Sequence, residues 1–301
     1  MKATRPRRLR RLPPTRMPAI DGLLLVDKPA GVTSHDVVAM ARRTIGSRRV
    51  GHAGTLDPFA TGLLVLLVGR ATRLLPYLEG EPKVYEATVR FGTETDTDDC
   101  TGTPIRHAPL PAFDAVERAI TGLTGALDQV PPSFSAKQVA GRRAHAAARR
   151  GQALALASSR VMVHQWLVRA WRGDELDATI TCGGGTYVRA LARDLGRATG
   201  SAAHLSALRR VRSGPFDVAD ARDPRALGEG AVALRPPRAA VPSLPAVALD
   251  PDDARRVARG QSVARTLDAP RAALVDAAGA LLAIAEPRGE LWHPRVVLAD
   301  A

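Results

Sequence analysis

Cysteine is scarce in this 301-residue sequence: the two present, Cys100 and Cys182, lie far apart and outside any Cys-x-x-Cys spacing. This excludes a disulfide scaffold and a cysteine-rich zinc site, and it favours a reducing compartment. No apolar run approaches the roughly 18–20 residues of a membrane-spanning helix. The basic N-terminus lacks the apolar segment of a secretory signal. We therefore predict a cytoplasmic protein without a membrane partner.

Acidic residues are too few to balance the basic ones. The sequence has 43 Lys and Arg against 30 Asp and Glu, for a formal net charge of +13. Residues 1–16 hold seven of the basic residues and no acid, and the rest of the chain still carries +6. Residues 1–18 are predicted as a disordered basic tail. The charge favours a polyanionic partner, nucleic acid before an anionic membrane, although solubility in an arginine-rich composition would also account for it.

The spacing of apolar residues predicts a mixture of strands and helices. Thr33 and Asp36 have the spacing of a capping box, which predicts a helix from there to Gly46. Residues 63–68 are apolar on both faces, as in a central strand, and residues 85–91 alternate like a half-buried strand. The other expected elements are a helix near 112–121, a basic helix at 142–150, strands at 160–171 and 175–182, a helix at 186–198, a Pro- and Arg-rich linker at 222–245 and a mostly β segment at 246–301.

The acidic stretch 93–102 resembles a calcium-binding loop at first sight. It lacks the glycine and the terminal glutamate at EF-hand spacing. We therefore interpret it as a turn and not as a metal site.

Residues 51–62 form a polar loop in which one carboxylate, Asp57, lies among three glycines and a proline. These residue types fix an unusual backbone around the carboxylate. An aspartate before a proline is most often a turn former. If a cation held it ionised and oriented, Asp57 would instead serve as a nucleophile or a general base.

A second polar segment, 183–189, has three glycines followed by Thr-Tyr-Val-Arg ahead of a helix. Glycines there offer free N–H groups to an anion, but the spacing is neither that of a Walker loop nor that of a GxGxxG fingerprint, so no nucleotide cofactor is expected. Tyr187 is either a core aromatic or a surface on which a base stacks. Arg189 is either a solvated helix residue or the partner of a carboxylate. Tyr85, at a strand start, is another of only three tyrosines.

Six motifs together resemble those of one enzyme family. They are residues 27–34 (DKPAGVTS), 51–62 (GHAGTLDPFATG), 83–85 (KVY), 129–132 (QVPP), 185–196 (GTYVRALARDLG) and 208–210 (LRR). In this order and spacing, over roughly residues 20–217, they are similar to the TruB-type tRNA pseudouridine synthases. The pattern GHAGTLDPxATGLL is highly specific on its own.

The resemblance implies an α+β fold, with a mixed, largely antiparallel central sheet flanked by helices and a small β-rich C-terminal PUA-like domain. It implies a catalytic domain at 19–244 and an RNA-binding PUA-like domain at 245–301. The implied reaction converts uridine 55 in the TΨC loop of tRNA to pseudouridine, by base extrusion, aspartate-dependent cleavage of C1′–N1 and formation of C1′–C5. Because the composition of the nucleotide is conserved, neither a cofactor nor a metal is implied. A monomer acting on tRNA is the implied state.

The resemblance also implies roles for seven residues. Asp57 is the implied catalytic aspartate and Arg189 the cation that pairs with it. Tyr85 is implied to pack beside the target uracil, with proton transfer as a further option. The other implied substrate-binding residues are Tyr187 and Leu208 as walls of the uracil pocket, His52 as a stacking residue in the RNA-facing loop and Lys28 as an electrostatic support.

Two positions depart from the family pattern. After Pro-Pro the family usually has Ser-Ala-x-Lys, whereas residues 135–138 read Ser-Ala-Lys-Gln, so the lysine is Lys137 and Gln138 takes its usual place. His145 stands where the family usually has the tyrosine of Arg-Ala-Tyr. Both positions lie away from the residues implied to contact the uracil.

Two other classes of function compete with the enzyme. An RNA-binding chaperone that folds tRNA would share the basic charge and the stacking residues, but it would not need Asp57 and Arg189 as a pair. A zinc or phosphate hydrolase fails for want of clustered His and Asp ligands. The presence of all the implied site residues favours the enzyme.

Overall fold

The computed structural model describes residues 20–80, 82–135, 137–139, 142–143, 155–225 and 233–299. The predicted tail at 1–18 and His145 lie outside these residues. The strands are β1 (Gly22–Lys28), β2 (Val50–His52), β3 (Thr61–Val68), β4 (Lys83–Phe91), β5 (Thr93–Thr95), β6 (Pro104–His107), β7 (Gly125–Gln129), β8 (Gln138–Val139), β9 (Arg142–Arg143), β10 (Ser159–Trp171), β11 (Glu175–Cys182), β12 (Ala203–Ser213), β13 (Phe216–Asp217), β14 (Ala246–Ala248), β15 (Val263–Ala264), β16 (Ala272–Val275), β17 (Leu281–Arg288) and β18 (Leu291–Val297). The helices are α1 (Ser34–Ile45), α2 (Leu75–Glu79), α3 (Phe113–Gly122), α4 (Val188–Ala198) and α5 (Pro251–Ala258). None of the helices in this part of the chain has the length and apolar character that crossing a membrane requires.

Nine of the described strands form the central sheet. Seven of them run in the order β1-β3-β12-β4-β11-β10-β7, with β2 paired to β3 and β13 paired to β12. The neighbours are antiparallel except for β3 and β12, where Arg209 lies beside Thr61 and Arg210 beside Gly62. The sheet is therefore mixed and largely antiparallel, which confirms the predicted fold class.

Helix α1 begins at the predicted capping box. The Thr33 hydroxyl accepts a hydrogen bond from the Asp36 N–H at 3.1 Å, and the Asp36 carboxylate accepts one from the Thr33 N–H at 2.8 Å. The helix ends at Gly46, whose φ of +69° is the left-handed conformation that glycine adopts at a helix C-terminus. Val37 and Ala41 pack against β1 and β3, so α1 lies directly beside the loop that follows β2.

The face of the central sheet on which Tyr85 lies is covered by α3 and α4. Along β4 the residues from Tyr85 to Phe91 alternate between buried and more exposed, as predicted from the sequence. Val116 of α3 and Leu191 of α4 pack into the same hydrophobic cluster as Tyr85. This packing fixes the start of α4 over the β4–β12 pair.

Residues 246–297 form a second sheet in the order β14-β16-β17-β18-β15, with α5 against it. Trp292 is wholly buried in its core. On the opposite face, Ile284 and Leu298 share a hydrophobic cluster with Leu23 and Leu63 of the central sheet. The C-terminal segment is therefore β-rich as predicted, and the domain boundary at 245 stays a prediction.

Two predicted elements differ in the structure. The stretch 222–245 is not a free linker at its described ends, because the Arg222 N–H donates to Leu25 O at 3.0 Å and the Arg235 N–H donates to Leu23 O at 2.9 Å. Both hydrogen bonds fall on the free edge of β1. Residues 142–143 form a short antiparallel pair with residues 138–139 and not the start of a helix, and the rest of the predicted helix lies outside the described residues.

Candidate active site

Asp57 and Arg189 form a two-pronged ion pair. Arg189 Nε donates to Asp57 Oδ2 at 2.9 Å, and Arg189 Nη2 donates to Asp57 Oδ1 at 2.9 Å. A guanidinium that meets both carboxylate oxygens in this way fixes the orientation of the carboxylate as well as its charge. The Arg189 side chain is 4% exposed and that of Asp57 is 31% exposed, so the carboxylate is open to a ligand and its partner is not.

The Arg189 guanidinium is held on its other side by two loops. Nη1 donates to Thr97 O at 2.7 Å, and Nη2 donates to Phe134 O at 2.9 Å. The Asp99 carboxylate lies 3.6 Å from Nη1. Arg189 is therefore held in one conformation, unlike a mobile surface arginine, and it fixes the orientation of the Asp57 carboxylate.

The loop that carries Asp57 is anchored to the start of α1. The Ser34 hydroxyl donates to Leu56 O at 3.0 Å and accepts from the Leu56 N–H at 2.9 Å. On the other side of Asp57, the Gly31 N–H donates to Pro58 O at 2.8 Å. The main chain on both sides of Asp57 is thus fixed by hydrogen bonds, to the Ser34 hydroxyl at Leu56 and to the Gly31 N–H at Pro58.

Lys28 lies wholly buried beneath the same loop. Its Nζ donates to three carbonyl oxygens, those of Pro29 at 2.9 Å, Val32 at 2.8 Å and Pro58 at 3.3 Å. Burial lowers the pKa of Lys28 to about 8, against an opposing effect of Asp57. The predicted electrostatic role of Lys28 fits this position, since its charge acts on Asp57 from below the loop.

Tyr85 and Leu208 lie on adjacent strands of the same sheet face. Tyr85 is 8% exposed, and Leu208 pairs with Ala87, two residues along β4. Burial raises the pKa of the Tyr85 hydroxyl, and Asp57 is close enough to act in the same direction. An aromatic ring and an aliphatic side chain therefore share the sheet face beside the Asp57 loop, and their contact with uracil stays a prediction.

Tyr187 immediately precedes the first residue of α4. The Gln129 side chain holds it at both main-chain atoms, accepting from the Tyr187 N–H at 2.9 Å and donating to Tyr187 O at 3.1 Å. Burial raises the pKa of the Tyr187 hydroxyl, while a hydrogen bond with Ser135 opposes this. The half-buried ring, close enough to interact with Asp57 and Arg189, is consistent with a wall of the pocket.

His52 ends β2 and is directed toward α1. Its ring meets that of His35 edge to face, with centroids 5.6 Å apart. Burial lowers the pKa of His52, and a hydrogen bond with the Gly54 main chain opposes this effect. No hydrogen bond joins it to Asp57 or Arg189 in the described residues. Its predicted stacking on RNA therefore stays a prediction.

Several residues of the site were not predicted from the sequence. Asp99 and Thr97 belong to the acidic stretch that was interpreted only as a turn, although its carbonyl and carboxylate hold Arg189. Gln129 was noticed only within a motif. Arg210 could have been found from the sequence. It follows Leu208 by two residues, so alternation along β12 places both side chains on the sheet face of Tyr85.

An open groove of about 790 Å³ lies beside the Asp57 loop. Its lining includes Ala30, Phe59 and Arg209. This volume is within the range of roughly 300–1,000 Å³ that is typical of ligand pockets. Asp57 and Arg189 do not line this groove, and its Glu86 and Arg209 side chains lie on the sheet face opposite Tyr85, so the groove is separate from the Asp57 site.

Comparison with solved structures defines the class of fold. A chain from an H/ACA ribonucleoprotein, solved bound to a substrate RNA containing 2′-deoxyuridine, superimposes with a TM-score of 0.70 at 22% identity, covering 92% of this chain and 85% of the other. At this identity the likeness concerns the fold alone.

Comparison with known sequences defines the family. The model of the TruB family pseudouridylate synthase N-terminal domain matches residues 42–188, and that of the tRNA pseudouridylate synthase B C-terminal domain matches residues 189–229. A tRNA pseudouridine synthase B of Thermobifida fusca is 44% identical, with coverage of 93% of this chain and 99% of the relative. One of Rhodococcus jostii is 45% identical, with coverage of 93% and 94%. The chain therefore belongs to the TruB family of pseudouridylate synthases, an isomerase family, and the predicted family and enzyme class are confirmed.

Proposed function

We propose that the chain isomerises uridine 55 in the TΨC loop of tRNA to pseudouridine. The relatives described above are named tRNA pseudouridine synthase B, and the match extends over nearly their whole length, which supports tRNA as the substrate. The observation that carries the proposal is the ion pair between Asp57 and Arg189, in which an accessible carboxylate is held at both oxygens by a buried guanidinium.

The carboxylate of Asp57 is the reacting group in this proposal. A uridine within a folded loop must be turned out of its stack before a protein group can reach its glycosidic bond. Asp57 then adds to C1′, adds to C6 of the uracil or assists removal of the C2′ proton, and all three routes remain open. Each ends with C1′–C5 in place of C1′–N1, so the reaction is a net isomerisation that consumes no co-reactant.

The walls of the pocket hold the extruded uracil. Tyr85, Tyr187 and Leu208 surround the Asp57 side of the site with aromatic and aliphatic surface. Base–aromatic stacking contributes on the order of 1–3 kcal/mol per base, which offsets the cost of extrusion. His52 provides a further ring at the end of β2 for stacking on the RNA, and Lys28 supports the charge of Asp57 from beneath the loop.

The partner in this proposal is the TΨC stem-loop of tRNA, bound by a monomer in the cytoplasm. The net charge of +13 favours such a polyanion. Because the isomerisation conserves atoms and oxidation state, no cofactor or energy source is required.

Pseudouridine mapping on tRNA tests the proposal. Purified protein is incubated with unmodified tRNA and with the same tRNA carrying cytidine at position 55. We expect pseudouridine at position 55 of the first tRNA and none in the second. Binding of tRNA without pseudouridine would instead support the RNA chaperone, and pseudouridine at another position would contradict the proposed target.

A further inference from the structure

Arg210 is a fully buried arginine at the centre of the site, with 1% of its surface exposed. Its Nε donates to Leu63 O at 2.7 Å, and its Nη2 donates to Gly54 O at 3.0 Å. Gly54 lies three residues before Asp57 in the same loop. One side chain of β12 therefore connects the Asp57 loop to β3.

The position of Arg210 explains two of the glycines in the Asp57 loop. Gly62 has a φ of +101°, and a Cβ at this position would lie 2.2 Å from Arg210 O. Gly54 has a φ of +90°, and its Cβ would lie 3.3 Å from Arg210 Nη1. The loop is thus built to let Arg210 approach its backbone closely.

The charge of Arg210 has no carboxylate partner in the described part of the chain. The ion pairs found there include none for Arg210 and none for Lys28, the other buried cation below the loop. Burying a charge that is satisfied only by carbonyl dipoles is costly. A cost of this kind at a functional site indicates that a counter-charge arrives with the substrate or during the reaction.

Tyr85 connects Arg210 to the uracil. The two residues are directly opposite each other in the antiparallel β4–β12 pair, so their side chains lie on the same sheet face. The guanidinium interacts with the Tyr85 hydroxyl and opposes the effect of burial on its pKa. A hydroxyl that accepts a hydrogen bond from a cation is a stronger hydrogen-bond donor to a third group.

Negative charge develops on the uracil in each of the three routes for Asp57. When C1′–N1 breaks, the electron pair of that bond stays on N1 of the base. If Asp57 first adds to C6, the electron pair of the C5–C6 bond moves onto C5 and O4 of the ring. The charge disappears when C1′–C5 forms and the proton on C5 is lost, with N1 gaining a proton. A bond from Asp57 to C1′ breaks as C5 attacks that carbon, a bond from Asp57 to C6 breaks before product release, and a proton removed from C2′ returns there, so each route regenerates the carboxylate.

We propose that Arg210 is a positioning residue that acts through Tyr85 to stabilise this negative charge on the departing uracil. The guanidinium fixes the Tyr85 hydroxyl as a donor to the base and fixes Gly54 beneath Asp57. Uracil, which carries the charge while it is free of the sugar, supplies the counter-charge that Arg210 lacks in the free protein. This inference rests on the proposed function.

The test compares two bases that differ in how well they carry negative charge. Electron withdrawal by fluorine makes 5-fluorouracil less dependent on stabilisation by the protein. For Arg210→Met we expect single-turnover cleavage of N1-linked uridine to fall by about 100-fold, the order seen when one donor to a developing anion is removed. The loss for tRNA containing 5-fluorouridine is expected to be about tenfold smaller. Affinity for tRNA is expected to stay within about threefold, because Arg210 has no exposed surface for RNA.

Three further variants make the comparison decisive. Arg209→Met is the matched control on the opposite sheet face, and it should keep the wild-type ratio of the two rates. In a Tyr85→Phe background, Arg210→Met should add little further loss, because the hydroxyl through which it acts is gone. If thermal unfolding shows that Arg210→Met is not folded, Arg210→Lys replaces it. The loss of rate should then be smaller, but it should still be larger for uridine than for 5-fluorouridine.

Equal losses for uridine and 5-fluorouridine, or losses that add fully to those of Tyr85→Phe, would overturn the role of Arg210 while leaving the proposed function intact. Absence of pseudouridine from the wild-type protein would instead overturn the proposed function, and this inference with it.

Discussion

Arg189 donates hydrogen bonds to both carboxylate oxygens of Asp57, with N···O distances of 2.9 Å. The two residues are 132 positions apart in sequence, one in a loop before β3 and the other in the first turn of α4. Since Thr97 O and Phe134 O take further N–H groups of the same guanidinium, four segments of the chain meet at this side chain. The orientation of the carboxylate is therefore set by the whole fold and not by its own loop.

Arg189→Lys tests whether this geometry matters as well as the charge. An ammonium group cannot reproduce the planar fork that serves Asp57 and two carbonyls together. We expect turnover of tRNA to fall by about 100-fold or more, equivalent to about 3 kcal/mol of activation free energy. Arg118→Lys, on the exposed side of α3, is the matched control and should retain wild-type turnover. Near-normal turnover of Arg189→Lys would show that charge alone is enough.

Tyr85→Ala separates stacking from electrostatic binding. Phosphate contacts make affinity fall with salt, by a slope of about 0.9 for each phosphate neutralised, whereas stacking responds little to salt. We expect Tyr85→Ala to cut turnover without changing the salt slope of tRNA binding, and Tyr85→Phe to retain the ring's share of binding. The measurement is tRNA affinity at several salt concentrations. Unchanged catalysis by Tyr85→Ala would contradict the role of the ring, and wild-type affinity independent of salt would contradict the role of charge.

Deletion of residues 1–16 should reduce the salt slope of tRNA binding only if the tail contacts RNA.

Local signals in the sequence predicted much of the fold. Thr33 and Asp36 predicted the start of α1, because a capping box involves only residues three apart. The alternation from Tyr85 to Phe91 predicted β4, because one face of that strand is buried. For the site, the sequence placed Asp57 and Arg189 in separate polar segments, and only the resemblance to a known family paired them.

Contacts between residues far apart in the chain could not be predicted from the sequence. Arg222 and Arg235 were assigned to a linker, because nothing local shows that their main-chain N–H groups meet the edge of β1. Asp99 and Arg210 are charged, and charged residues are mostly exposed, so composition gave no sign that both are buried. Their burial depends on partners more than 80 residues away in sequence.

Gly62→Ala tests the close approach of the Asp57 loop to β12. A Cβ at Gly62 would lie 2.2 Å from Arg210 O, and the φ of +101° is unfavourable for alanine. We expect the free energy of unfolding to fall by about 2–4 kcal/mol, measured by denaturant unfolding. Gly122→Ala is the control, because its Cβ would meet nothing within 4 Å at an ordinary φ. Equal stabilities of the two variants would contradict the packing described for Arg210.

Lys28→Met tests the buried ammonium through the pH dependence of stability. The pKa of Lys28 is lowered by burial from 10.5 to about 8 in the folded protein. Between these values the unfolded chain binds more protons than the folded one, so the stability contributed at this site rises with pH. The unfolding free energy of the wild type minus that of Lys28→Met should be flat below pH 8 and should increase from pH 8 to 10.5 by more than about 1 kcal/mol. A difference that is constant with pH would show that Lys28 keeps its ordinary pKa.

The most direct test of the account is pseudouridine formation by Asp57→Asn. The amide keeps the size of the carboxylate but is neither a nucleophile nor a base. The wild type and Asp114→Asn, a control at an exposed site on α3, should both convert uridine 55 of tRNA. Asp57→Asn should bind tRNA within a few-fold of wild-type affinity and form no pseudouridine, whereas pseudouridine at even about one hundredth of the wild-type rate, a barrier only about 2.7 kcal/mol higher, would contradict Asp57 as the essential group.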